Sequence, residues 1–390
     1  MLKLPVYLDY HATSPCDQEV LDAMLPYFNQ HFGNASAKGY LFGWQASEAV
    51  KIAREQVAAL IGSDPSEIIF TSGATESVNL ALKGIFGALS AKGKHIITSA
   101  SEHRAVLDTC KHLENLGAEI SYLPVQEDGL TDLDILKKSI RPDTILIAIM
   151  YANNETGVLQ PVHSIGEIAK QNGILFFSDA TQALGKVSID VNLEKIDLLA
   201  FSAHKLYGPK GVGALYVRRK SPRVRLIPQQ DGGGQEGGLR SGTQNVPGIV
   251  GFGKAAELAK KDMNLNMGHI RQLRDKLEKA LLGLQGATLN GNSEQRLPTV
   301  TNISFDQAHG NRLITSILKD IAVSSGSACS SASPEPSHVL KSMGLNEPMA
   351  RQAIRFSLGK YNTREEIQYV IDKVTRTLKE QDREFKMADI

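Results

Sequence analysis

Between residues 66 and 218, short β-branched runs alternate with segments whose apolar residues recur every three or four positions. That alternation is expected of a largely parallel sheet covered by crossover helices. The runs are EIIFTS (67–72), HIITSA (95–100), AEISYL (118–123), TILIAIM (144–150), ILFFSDA (174–180), DLLAFSA (197–203) and VGALYVR (212–218). Segments 106–116, 133–140 and 165–171 read as the crossovers. A loop-rich stretch, DGGGQEGGLRSGTQNVPG (231–248), closes the region, and long charged helices such as 255–284 follow it. The rest reads strand (299–305), helix (312–319), small-residue loop (324–333), helix, strand (353–358) and terminal helix (363–380), the pattern of an α+β unit. No solenoid period is present.

The length of 390 residues supports this division, being more than twice the ~150 of an average domain. A large domain over 16–250 and a small one over 1–15 and 251–390 are expected. Forty-three basic against 42 acidic residues leave a net charge of +1, too little to steer a polyanion, so no direct nucleic-acid partner is expected. The longest apolar run, near 145–150, is far shorter than the ~20 residues of a membrane span, and the N-terminus lacks a signal-peptide core. Three scattered cysteines, Cys16, Cys110 and Cys329, form neither a disulfide framework nor a zinc motif and suit a reducing cytosol. A cytoplasmic location is the expectation.

Four segments carry candidate chemistry. In EIIFTSGATES a strand runs into Ser72-Gly73-Ala74-Thr75 and a helix begins, so free N–H groups could cradle a phosphate; capping by Ser72 or Thr75 is the plainer alternative. In ILFFSDA the strand ends at Asp179, with Gln182 three residues on. A carboxylate at the carboxyl end of a parallel strand faces the ligand crevice and could pair with a protonated ring nitrogen, although a capping role is common for such a residue. In FSAHKLYGPKG, Lys205 follows a strand end, with Ser202 and His204 beside it as polar groups suited to a phosphate; an ordinary surface lysine in a loop is the plainer alternative. Partial desolvation there would favour the neutral, nucleophilic amine. Together these are the parts that hold pyridoxal phosphate. Fourth, VSSGSACSSASPEPSHVL mounts Cys329 among residues too small to anchor a loop by packing, as suits a carrier thiol. Cys110 and Cys16 lack that setting and read as structural.

These motifs, with YLDYHAT, SEHRAVLDTC, NNETG, GGGQEGGLRSGT and IRFSLG in the same order along nearly the whole chain, resemble the cysteine desulfurases of the iron-sulfur-cluster and nitrogen-fixation type. Those enzymes belong to the class V aminotransferase superfamily. The resemblance implies the α/β pyridoxal-phosphate-dependent transferase fold, fold type I and aspartate aminotransferase-like, with a mostly parallel seven-stranded sheet plus a smaller α+β domain. It implies Lys205 as the Schiff-base lysine, Asp179 as partner of the ring nitrogen and His103 as the stacking and proton-transfer residue. Asn154 and Gln182 would lie on the ring-hydroxyl side, with Asn154 also at the substrate. Ala74, Thr75, Ser202 and His204 would form the phosphate shell, with Thr243 supplied by a neighbouring subunit. Arg355 would clamp the substrate carboxylate, and Cys329 would accept sulfur from L-cysteine as a persulfide, releasing alanine.

A homodimer, delivery of sulfur to acceptors such as an iron-sulfur scaffold or transfer RNA thiolation, and a transient 2Fe-2S cluster on Cys329 are further implications. Here Asn34-Ala35-Ser36 and Tyr40 replace the family's Asn-Pro-Ser or Asn-Pro-Ala and its following His. Gly237 stands where Arg is common, and the chain closes at FKMADI without the longer tail of housekeeping members. A transaminase or selenocysteine lyase would keep Lys205 and Asp179 without requiring Cys329, and a non-catalytic sulfur-relay platform would have no need for all five of Lys205, Asp179, His103, Arg355 and Cys329.

Overall fold

The computed structural model describes residues 2–306, 312–325 and 336–388. Thirteen strands are found among them, in chain order β1 Val6–Tyr7, β2 Ile68–Thr71, β3 His95–Ser99, β4 Glu119–Leu123, β5 Thr144–Ala148, β6 Leu175–Asp179, β7 Leu198–Ser202, β8 Gly213–Val217, β9 Ala287–Leu289, β10 Val300–Phe305, β11 Ile321–Ala322, β12 Ser324–Ser325 and β13 Ala353–Ser357. All seven runs read between 67 and 218 are strands of one sheet, ordered β2-β8-β7-β6-β5-β3-β4. Its pairings are parallel except those of β8, which runs antiparallel to both β2 and β7.

Both faces of this sheet are covered, which is why the runs read as nearly continuous apolar stretches. Successive residues divide between the two sides. Phe70, Ile97, Ile147, Phe176, Leu199 and Tyr216 enter one core, shared with helices Leu41–Ile61 and Val162–Gln171. Ile69, Ile96, Leu146, Phe177, Leu198 and Leu215 enter the other, under helices Ala74–Leu89 and Arg104–Glu114.

The helix expected from 255 in fact begins nine residues earlier and runs unbroken over Val246–Leu282. Pro247 is accommodated in its first turn, where a missing N–H costs nothing. Its first half packs on the large sheet through Val246, Ile249, Phe252 and Ala256, and its second half joins a separate core through Ile270, Leu273, Leu277 and Leu281. Gly253 lets it cross the helix Leu41–Ile61 closely, since a Cβ there would lie 2.5 Å from Ala53 Cα.

The second core lies beneath the antiparallel sheet β12-β13-β10-β9 and receives Ile367, Val370 and Val374 of the terminal helix Arg364–Ala388. The loop expected over 324–333 begins instead as strand, because Ser324 and Ser325 pair with Arg355 and Ile354 of β13. The two-residue strands β1 and β11, which pair in parallel, and the short β9 are too brief to show a period.

The glycine-rich loop is tied down by one charge. Glu236 is buried and accepts from Arg54 Nη1 and Nη2 at 2.9 Å each, from Phe70 N at 2.9 Å and from Gln244. Gly237 has φ 65°, a backbone state that favours glycine over any residue with a side chain. Removing one member of a buried pair strands the other. Glu236→Ala is therefore expected to lower the unfolding free energy by about 3–5 kcal/mol, measured by denaturant titration; a change below about 1 kcal/mol would show that the pair is dispensable.

Candidate active site

The strand ends place the candidate residues around one cavity of about 660 Å³. Asp179 closes β6 and Ser202 closes β7, while the segments after β2, β3 and β5 contribute Ser72–Glu76, His103 and Asn154. Ligands of parallel α/β sheets bind at this carboxyl edge. Lys205, His204, Gln182 and Arg355 line the same space. Lys205 and Asp179 thus share a pocket, as the sequence led us to expect.

The turn after β2 has the form of a cradle rather than of a side-chain cap. Gly73 is the N-cap of helix Ala74–Leu89, and neither Ser72 nor Thr75 caps it. The first-turn N–H groups have no partner one turn earlier. β8 approaches closely here, because a Cβ at Gly213 would lie 2.7 Å from Gly73 Cα. Glu76 folds back to accept from Ser72 N at 2.7 Å and from Arg240 Nε at 2.8 Å. Burial opposes its ionisation, but these bonds to Arg240 and Ser72 prevail and hold its carboxyl below the ordinary value.

Asp179 stabilises the turn that follows β6. Its Oδ1 accepts from Thr181 N at 2.9 Å and Thr181 Oγ1 at 2.5 Å, fixing the turn, while Oδ2 has no hydrogen-bond partner among the described residues. Lys205 Nζ donates to the carbonyls of His11 and Ala12. His204 Nδ1 meets Thr13 Oγ1 at 3.1 Å, and its pKa is pushed down to about 4 by burial first and then by Lys205, Lys210 and Lys186. His103 caps its helix, accepting from Ala105 N at 3.1 Å through Nδ1.

Arg355 is buried. Its Nη2 donates to Asp9 Oδ1 at 2.7 Å and to Ser324 Oγ at 3.1 Å, and Nη1 donates to Asn154 O at 3.0 Å. Among the described residues, Nε is buried without an acceptor and Asn154 Oδ1 is buried without a donor. An orphaned donor and an orphaned acceptor at one cavity are the expected mark of a missing polar ligand. With the open helix N-terminus, Oδ2 of Asp179 and the amine of Lys205, they fit pyridoxal phosphate and an amino-acid carboxylate.

One candidate does not line this cavity, and another is not among the described residues. Thr243 is exposed and does not line it in the single chain, and Cys329 falls outside the described residues. Cys110 is buried, with its thiol pushed up to about 12 chiefly by burial, and Cys16, though exposed, is also raised by partial burial and by Asp17. Neither is an activated nucleophile.

The sequence reading missed His11 and Asp9, although both stand in the quoted YLDYHAT. Since a carbonyl only accepts, His11 Nδ1 must donate to Asn154 O at 3.1 Å, and Nε2 then accepts from Thr299 Oγ1 at 2.9 Å. Burial first, then Lys186 and Arg355, lowers its pKa well below the ordinary value.

Residues 6–370 match the family model described as aminotransferase class-V, and the chain belongs to that family of pyridoxal-phosphate enzymes. It is 53% identical over 379 residues to a cysteine desulfurase IscS of Anaeromyxobacter sp. (strain Fw109-5), covering 97% of this chain and 93% of the relative. A protein of the same name from Pectobacterium carotovorum subsp. carotovorum (strain PC1) is 52% identical over equal shares. Among solved structures, a NifS-like protein aligns with TM-score 0.90 and 39% identity over 96% of this chain and all of that one. SspA in complex with cysteine aligns with TM-score 0.81 and 38% identity, over 92% and 100% of the two chains. Within the class V family, this chain is a member of the cysteine desulfurases.

His204 makes a quantitative expectation possible. A histidine with an unfolded pKa near ~6.5 and a folded value of about 4 takes up a proton on unfolding between those values, so its contribution to stability falls as pH drops through that window. At pH 5, His204→Asn should reduce proton uptake on unfolding by roughly one, read from the pH slope of the unfolding free energy. An unchanged slope would place His204 in solvent-like surroundings.

Proposed function

We propose that this protein is a pyridoxal-phosphate-dependent cysteine desulfurase that passes the sulfur of L-cysteine to Cys329 and releases L-alanine. The observation that carries the reading is the convergence of Lys205, Asp179, Gln182, His103 and Arg355 on one cavity. When bound, pyridoxal phosphate supplies the electron sink for charge left at the substrate carbon.

Lys205 would hold the cofactor aldehyde, and Asp179 Oδ2 would keep the ring nitrogen protonated. The Ala74-Thr75 turn, Ser202 and His204 would bind the phosphate, while Asn154 and Gln182 would line the ring-hydroxyl side. Arg355 would orient the substrate carboxylate with its spare N–H donors. Lys205 Nζ would take and return the proton at the substrate Cα, and His103 Nε2 would serve proton transfer nearby. The Cys329 thiolate attacks the substrate sulfur: an S–S bond forms, the Cβ–S bond breaks, and its electron pair stays on carbon, where a proton completes alanine. The persulfide then serves an acceptor protein, such as an iron-sulfur scaffold or a transfer RNA thiolation partner, and Cys329 can help ligate a nascent 2Fe-2S cluster as cargo.

The working unit in this reading is a cytoplasmic homodimer whose second subunit lends Thr243, with each chain divided at 250. Phe28, Phe32, Leu41 and Trp44, 57–65% exposed within one stretch of chain, support a covered apolar face. No helix among the described residues is long and apolar enough to cross a membrane.

Three measurements test the proposal. Lys205→Ala should abolish the absorbance near ~420 nm that pyridoxal phosphate gives the wild type, and Cys329→Ser should cut alanine release from L-cysteine at least about 100-fold while keeping that band. Equal alanine release by wild type and Cys329→Ser removes Cys329 from the reaction. Sedimentation should show a wild-type dimer that Phe32→Glu converts to monomer; a monomeric wild type refutes the assembly.

A further inference from the structure

Lys186 stands beside the active site, and no counter-ion for it is found among the described residues. Its Nζ donates to Gln182 Oε1 at 2.8 Å, and among the described residues no carboxylate forms an ion pair with it. The charges that act on it are those of Lys205 and Arg355, both cationic, and with burial as the larger cause they lower its pKa well below the ordinary lysine value. A partly buried cation facing other cations weakens a fold, so packing does not explain its presence.

What Lys186 does is legible in its partner. A backbone carbonyl only accepts, so the Gln182 Nε2 that reaches His11 O must be the donor side of the amide. Gln182 Oε1 receives the bond from Lys186, while Gln182 Nε2 donates to His11 O at 3.0 Å. Both contacts demand the same amide orientation. The second hydrogen of Nε2 has no protein acceptor among the described residues, and Gln182 lines the cavity with Lys205 and Asp179. Lys205 donates to the same His11 carbonyl. A continuous chain therefore links Lys186, Gln182, the His11 carbonyl and Lys205.

We propose that Lys186 is a positioning residue that locks the Gln182 amide as a hydrogen-bond donor toward the ring oxygen of bound pyridoxal phosphate. The inference rests on the cofactor reading above. A donor at that oxygen stabilises its ionised form. Without Lys186 only the His11 carbonyl still opposes a turned amide, and a turned amide would aim Oε1 at the ring oxygen.

The test uses the holoenzyme at fixed pH, with pyridoxal phosphate as the titrated ligand. In Lys186→Met the fold should survive with an unchanged or higher melting temperature, since an unpaired charge is removed. Its affinity for pyridoxal phosphate should fall at least about tenfold, and its absorbance should move from the ~420 nm band toward ~330 nm. Lys186→Arg, which keeps a donor, should restore both to within about threefold of wild type. A Lys186→Met protein with wild-type affinity and spectrum overturns the proposal, as does equal loss in the Met and Arg variants. Should Lys186→Met not fold, Gln182→Glu gives the second readout: its carboxylate pairs with Lys186 but cannot donate, so an unmoved spectrum there is equally fatal. A wild type that gains no ~420 nm band refutes the cofactor reading itself, whereas a normal wild-type band with an unmoved variant band refutes only the role of Lys186.

Discussion

The site depends on how the first residues of the chain are fastened between the two sheets. On one side, Leu8 N donates to Ala322 O and its carbonyl receives Ser357 N, while His11 N reaches Ser357 Oγ at 3.0 Å. On the other, Ser14 N and Oγ both donate to His204 O, and Tyr207 N donates to Ser14 Oγ. The stretch between these fastenings supplies Asp9 to Arg355, the His11 and Ala12 carbonyls to Lys205 and a hydroxyl to His204. Backbone carbonyls held at both ends cannot retreat from the lysine, so the amine's position is set by main chain rather than by side-chain packing.

Charge is distributed unevenly around this segment. Lys205, Lys210 and Arg355 line the cavity and Lys186 stands behind it. The nearby carboxylates are largely engaged, Asp9 with Arg355 and Ser324, and Glu76 with Arg240 and Ser72. His11 and His204 are held toward their neutral forms. The excess of cations suits a ligand that brings a phosphate and a carboxylate of its own. Beneath His103, Glu102 is buried, accepts from Met150 N at 2.6 Å and is held well above the ordinary carboxyl range, chiefly by burial. The deepest acid of the region thus adds little negative charge to compete with Asp179.

Much of this was legible in the sequence because the large sheet is covered on both faces and its strands are long enough to show as apolar runs. Asp179, Ser202 and Lys205 stand at or just beyond strand ends, where local pattern alone locates them. His11, Asp9 and Lys186 were not legible as chemistry, because their roles arise from hydrogen bonds across 143 to 346 positions of sequence or, for Lys186, from an ordinary-looking i to i+4 pair. Ser324 read as loop because a two-residue strand has no period and forms only through pairing with β13. The start of the helix Val246–Leu282 was hidden by the glycines and proline of its first turns, residues that local propensity assigns to loops, whereas Gly251 and Gly253 are required there by close packing on Met24 and Ala53.

That helix has a consequence for how the chain can change through insertions. At 1.5 Å per residue it spans about 55 Å as a single rod, and its two apolar stripes serve different cores. Each residue added or lost between Ala256 and Ile270 would turn one stripe by about 100° against the other and slide it along the axis. The exposed middle of the rod tolerates exchange of side chains yet not a change in their number, and the angular phase of one helix keeps Arg355 and Lys205 in a common frame.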